Sequence, residues 1–89
     1  MESNQNIKIF ENDKFGQIRT AGTSENPLFC LSDICKVLEL RVSPTKDRLD
    51  PKGVNQIDLP TKGGKQQFYF VNEKNLYKVM NWLRENLLL

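Results

Sequence analysis

Apolar and polar residues alternate along Ile7-Lys8-Ile9-Phe10 and again along Phe15-Gly16-Gln17-Ile18-Arg19-Thr20. Alternation with a period of two belongs to a strand with unlike faces, and the turn formers Asn12-Asp13-Lys14 lie between the two runs. An N-terminal hairpin is therefore predicted, closed off by a loop from Gly22 to Pro27. Residues Met1 to Asn6 are polar and predicted to fray, which leaves 7–89 as the domain.

The period then lengthens. Ser32-Asp33 opens a predicted helix: a hydroxyl can accept from an unpaired backbone N–H, and a carboxylate suits the positive helix end. It runs to about Leu40 with Ile34, Cys35, Val37 and Leu38 inward. Ser43-Pro44 starts a short second helix in the same way, because proline's missing N–H is harmless in a first turn. That piece reaches about Leu49 and stops before Pro51 and Gly53. Val54 to Leu59 and Gln66 to Val71 read as paired strands, and Lys62-Gly63-Gly64-Lys65 joins them with glycines that permit positive backbone angles. Asn72-Glu73 caps a last helix whose apolar positions are Leu76, Val79, Met80, Leu83 and Leu87, with Tyr77 beside them.

The sum is an α+β fold: a small single domain with antiparallel β-hairpins packed against two main helices and one short helix. A chain of 89 residues, 38% apolar and 27% charged, suits one soluble domain able to bury a core without staples. It shows no repeat, no low-complexity stretch, no secretory leader and no run near the ~20 apolar residues that span a bilayer. The cytoplasm is expected, with both cysteines reduced.

Composition removes most chemistry. The chain has no histidine, so nucleophile–histidine catalysis is excluded, and Cys30 and Cys35 are only two of the four donors a structural zinc needs. Both cysteines lie in an apolar run and read as small buried hydrophobes. Gly63-Gly64-Lys65 lacks the spacing of a phosphate loop and is followed by a strand rather than a helix. Asp47 and Asp50 sit among cations and read as a solvated face. No enzyme, cofactor or metal is expected.

Charge placement is more informative than the net charge of +2. Between Arg41 and Lys65, six cations face three carboxylates, whereas the rest of the chain has seven cations against eight. The surplus falls on the short helix and the hairpin tip, two elements of a kind that reach into grooves. Arg41, Lys46, Arg48, Lys62 and Lys65 are the candidate phosphate contacts, and Thr45 and Gln66 the candidate base readers. The two central helices also have the spacing of a helix-turn-helix, in which the short second piece would read DNA.

Phe15-Gly16-Gln17-Ile18-Arg19-Thr20, Pro27-Leu28-Phe29-Cys30-Leu31-Ser32-Asp33-Ile34-Cys35-Lys36-Val37-Leu38, Thr61 to Gln66, and Phe70-Val71-Asn72-Glu73 with Leu76-Tyr77 resemble, in this order, the BRO N-terminal domain of baculovirus repeated-ORF proteins and prophage antirepressors. The likeness covers about residues 7 to 80. It implies an α+β DNA-binding module of phage or viral gene regulation, without catalytic residues. Asn75 departs from the family's usual glycine, a change that a helix tolerates. The resemblance also implies a basic, arginine-containing segment past the last helix, where this chain ends at Leu89.

Two functions follow as expectations. The first is a nucleic-acid module, chiefly for double-stranded DNA. The second is a protein-interaction module that binds a repressor or forms a homodimer through Trp82, Leu83 and Leu87 to Leu89. No membrane partner is expected. A half-exposed Tyr69 on the strand Phe68-Tyr69-Phe70 could stack on a base.

Overall fold

Five antiparallel strands form one sheet with helices at its side. The computed structural model describes residues 7–12 and 16–88, without the side chains of residues 12 and 83–88. The strands are β1 (Lys8–Asn12), β2 (Gly16–Gly22), β3 (Pro27–Cys30), β4 (Val54–Thr61) and β5 (Gly64–Asn72). The helices are α1 (Leu31–Leu38), α2 (Val42–Asp47) and α3 (Glu73–Leu88), with a single 3-10 turn at Pro51–Gly53. Sheet order is β1-β2-β3-β5-β4. The polar start 1–6, the turn at 13–15 and the side chains from Leu83 onward lie outside the described residues.

The α+β class and both hairpins agree with the sequence pattern, and β3 is an addition. Pro27–Cys30 follows the predicted loop and pairs with β2 through Thr20↔Phe29 and with β5 through Phe29↔Val71. Its side chains are apolar on both faces, so it shows no alternation by which to recognise a strand.

The helix starts also differ. α1 begins at Leu31, with Cys30 as its extended cap residue and no side-chain cap bond. Ser32 instead lies 3.3 Å from the Cys30 sulfur, and Asp33 is engaged elsewhere. α2 begins at Val42, ahead of the Ser43-Pro44 pair, and ends at Asp47 rather than Leu49. Pro44 still falls within the first turn, where its missing N–H is harmless.

α1 ends in a motif that sequence did not suggest. Leu40 N–H donates to the Cys35 carbonyl (2.8 Å) and Glu39 N–H to that of Lys36 (3.4 Å), while Glu39 is left-handed at φ 58°. Glycine usually holds that position because it has no Cβ to strain. Glu39→Gly is therefore expected to stabilise the fold by about 0.5–1 kcal/mol, read as a raised denaturation midpoint with unchanged m-value.

The main core gathers Ile18, Leu31, Ile34, Cys35, Leu49, Val71 and Val79, flanked by Phe29, Tyr69, Leu76 and Trp82. A second cluster, Ala21, Cys30, Ile57, Leu59 and Phe70, is drawn from strands alone among the described residues. Asn72 caps α3 as expected, its Oδ1 accepting the Asn75 N–H at 3.0 Å. Gly53 lies so close that a Cβ there would stand 2.6 Å from the Asn72 side chain, which ties the 3-10 turn to the helix start.

Candidate nucleic-acid interface

β4 and β5 pair without interruption from Val54↔Val71 out to Thr61↔Gly64. Directly opposed residues share a face, and successive residues alternate. One face therefore carries the pairs Val54–Val71, Gln56–Tyr69, Asp58–Gln67 and Pro60–Lys65. The other carries Asn55–Phe70, Ile57–Phe68, Leu59–Gln66 and Thr61–Gly64. The two faces differ sharply: Ile57 and Leu59 are buried on the second, whereas Gln56, Asp58, Pro60, Gln67 and Lys65 are all exposed on the first. From Pro60 to Gln67 every residue is exposed, and the ribbon runs past the buried Leu59 by two residue pairs, Pro60–Lys65 and Thr61–Gly64.

Its tip is a tight turn. The Thr61 hydroxyl donates to the Gly64 carbonyl at 2.6 Å. Of the two glycines predicted to supply positive angles, only Gly64 does so, at φ 108°. Lys62 and Lys65 flank this turn in the open.

α2 sits over the polar face where it meets the core. Lys46 holds its ammonium 5.0 Å from the centre of the Tyr69 ring and 3.4 Å from the Asp47 carboxylate. Lys46, Asp47, Pro51, Gln56 and Tyr69 help to line a shallow groove of about 520 Å³ between α2 and the ribbon. Arg48 stacks on Trp82 at 4.0 Å from the ring centre, and Arg41, just before α2, is exposed. Such cation–ring contacts contribute on the order of 0.5–1 kcal/mol each at exposed sites and hold the cation in place while leaving N–H groups free.

The structure thus unites some predicted residues and separates others. Lys46 and Lys65 share the polar face, with Tyr69 between them. Lys62 stands at the tip. Gln66 points to the opposite face, beside Leu59 and Phe68. Thr45 drops out as a base reader: it is buried at 6% exposure. The recognition-helix reading of α2 weakens for the same reason. Over six residues Thr45 faces the core, Lys46 is held over Tyr69, and only Ser43, Pro44 and Asp47 are exposed.

Two groupings were missed from sequence. Asn75 is fully buried, and clamps Asp50 at both backbone groups: its Nδ2 donates to the Asp50 carbonyl (3.0 Å) and its Oδ1 accepts the Asp50 N–H (3.2 Å). It is therefore more than a tolerated replacement for glycine. It fastens the segment that carries Lys46 and Arg48 to α3. Nothing in local periodicity marks such a role, because its partner lies 25 residues away.

The second is Arg19 with Asp33. Asp33 Oδ2 accepts from both the backbone N–H and Nε of Arg19, and Oδ1 accepts from Nη2, all at 2.9 Å. β2 pairs with β3 only from Thr20 onward, so the carboxylate takes over the ladder where β3 ends and α1 begins. Burial would raise the Asp33 carboxyl, but the hydrogen bonds from Arg19 outweigh it and hold it below its ordinary range. Arg19 also lies 4.6 Å from the centre of the Phe68 ring, on the ribbon's buried face.

Cys30 and Cys35 are free and buried, and burial pushes the Cys35 thiol up. Among the described residues no cluster of three or more His, Cys, Asp or Glu could hold a metal, and no helix is long and apolar enough to cross a membrane.

Comparison with known proteins adds a family. The model for the BRO family, N-terminal domain, matches residues 17–85, from β2 into α3. No curated protein and no solved structure matches the chain.

Proposed function

The chain belongs to the BRO family and carries its N-terminal domain, and from that premise we propose that it is the DNA-binding module of an antirepressor-type regulator of phage or viral kind. The module is not catalytic and needs no cofactor. It acts in the cytoplasm on double-stranded DNA, docking through the outer β4–β5 ribbon, with α2 beside it.

The observation that carries this reading is the ribbon itself. A strand pair that continues past its core, exposed on every residue from Pro60 to Gln67, does no packing for the domain. The major groove of B-DNA admits a two-stranded ribbon, and this one presents Lys62 and Lys65 with Gln67. Arg41, Lys46 and Arg48 lie on or beside α2, where they can meet the flanking phosphates.

Fluorescence anisotropy with a labelled duplex tests it. If about four phosphates are neutralised, log affinity falls with log salt at a slope of about −3 to −4. Lys62→Ala with Lys65→Ala removes two of those contacts, so the slope becomes shallower by about 2. Folding stability should stay within about 0.5 kcal/mol of the parent, because both side chains are exposed. An unchanged slope and affinity in the double variant would take the ribbon out of the interface.

One observation favours a protein partner as a second reading. The outer strand β1 leaves Ile9 62% and Phe10 50% exposed, and an unpaired apolar edge invites another strand. Sedimentation velocity that gives one monomeric coefficient from micromolar to millimolar protein would remove self-association by that edge.

A further inference from the structure

We infer that the polar face of the β4–β5 ribbon is a base-reading surface for the major groove of duplex DNA, with Gln56 and Gln67 as the readers. This rests on the DNA-binding reading above and goes further by assigning which face of the ribbon meets the bases. The assignment follows from strand register rather than from charge.

On this face the opposed pairs from the core edge outward are Gln56–Tyr69, Asp58–Gln67 and Pro60–Lys65. Gln56 and Gln67 stand on opposite strands one pair apart, a diagonal separation of about 7–8 Å. Both are exposed. Glutamine offers a donor and an acceptor side by side, and so can bind adenine N6 and N7 together.

Cations bracket this pair. Lys46 is fixed over Tyr69 at the inner end, and Lys65 stands at the outer end. From Tyr69 to Lys65 is four residues along one strand, or about 14 Å at the usual strand rise. The major groove is about 12 Å wide. The backbone positions of Tyr69 and Lys65 are thus about as far apart as the two walls of the groove, which lets Lys46 and Lys65 meet phosphates on either side while the glutamines lie over its floor. Asp58 between them fits the same placement. A carboxylate is repelled by phosphates but can accept from the cytosine N4 amine on the groove floor.

The opposite face is closed to such a role. Ile57 and Leu59 are buried there, and Phe68 lies under Arg19. Gln66 shares that face and therefore does not read bases.

The test uses the 89-residue chain. A preferred duplex is selected from a randomised pool, and its affinity is compared with that of a random duplex by anisotropy, for the parent and for Gln56→Ala, Gln67→Ala and Gln66→Ala. The expected result is a loss of about tenfold in the preferred-to-random ratio for Gln56→Ala and again for Gln67→Ala, the discrimination of one bidentate contact. Their salt slopes should match the parent's, and Gln66→Ala should keep the ratio. A ratio lowered by Gln66→Ala and kept by the other two overturns the assignment. So does a parent that binds all duplexes alike, or prefers a single strand, although DNA binding itself would stand. Absence of binding to any DNA at low salt would bring down the underlying reading as well.

Discussion

Asn75→Ala is expected to destabilise the domain by about 3 kcal/mol, measured as a lowered urea midpoint. The side chain is fully buried, and its amide satisfies both the N–H and the carbonyl of Asp50. Truncation to alanine leaves two partly buried backbone groups without partners, each costing about 1–3 kcal/mol. No small change repairs this, because the lost amide was a donor and an acceptor at once. Asn75→Asp would keep the acceptor but bury a carboxylate against the Asp50 carbonyl, and should cost at least as much as alanine. The effect extends to the proposed interface. Asp50 precedes the 3-10 turn at Pro51–Gly53 and follows the segment with Lys46 and Arg48, so releasing it loosens those cations as well. At temperatures where the variant remains folded, amide exchange should therefore rise in residues 46–53 more than in the outer ribbon.

Asp33→Ala should cost about 2 kcal/mol at pH 7. Three hydrogen bonds from Arg19 end on this carboxylate, one of them from the β2 backbone. The two side chains are 33% and 18% exposed, so solvent weakens the ionic part and the cost stays well below that for a deeply buried pair. The loss has a pH signature. A carboxyl held below its ordinary pKa in the folded state gives stability that is present above the unfolded value, near 4. That stability disappears as pH falls through the lower folded value. The gap between parent and Asp33→Ala should thus be constant from pH 7 to about pH 5 and close progressively below pH 4. Arg19 remains charged throughout and adds no slope. Chemical denaturation at several pH values reads this directly, and a gap that stays the same at pH 2.5 would mean that the pair's charge contributes little.

These two sites show where sequence reasoning stops. The β4–β5 ribbon was legible because alternation is a local property and Gly63-Gly64 marks its turn. α3 was legible because Asn72 and the Leu76–Val79–Met80 spacing obey local rules. β3 was not, since Pro27–Cys30 is apolar on both faces and has no period of its own. The cap signals Ser32-Asp33 and Ser43-Pro44 marked both central helices to within two residues. Their side chains then served other purposes, Asp33 above all.

The proposed interface was legible as a composition and not as an arrangement. Charge counting found Arg41, Lys46, Arg48, Lys62 and Lys65, all of which keep exposed or half-exposed positions. It could not tell Gln66 from Gln67, because one residue of register decides which face each takes. Nor could it see that Thr45 turns inward, or that Lys46 and Arg48 rest on aromatic rings 23 and 34 residues further along the chain. Such pairings depend on tertiary packing and leave no local trace.

The most direct test of the interface is a ¹H–¹⁵N NMR titration of the labelled chain with a duplex. Shift changes concentrated on residues 56–69 and around Lys46, and sparse on β1 and the outer surface of α3, are the predicted result. Changes centred on β1 around Ile9 and Phe10, with the ribbon unmoved, would contradict it.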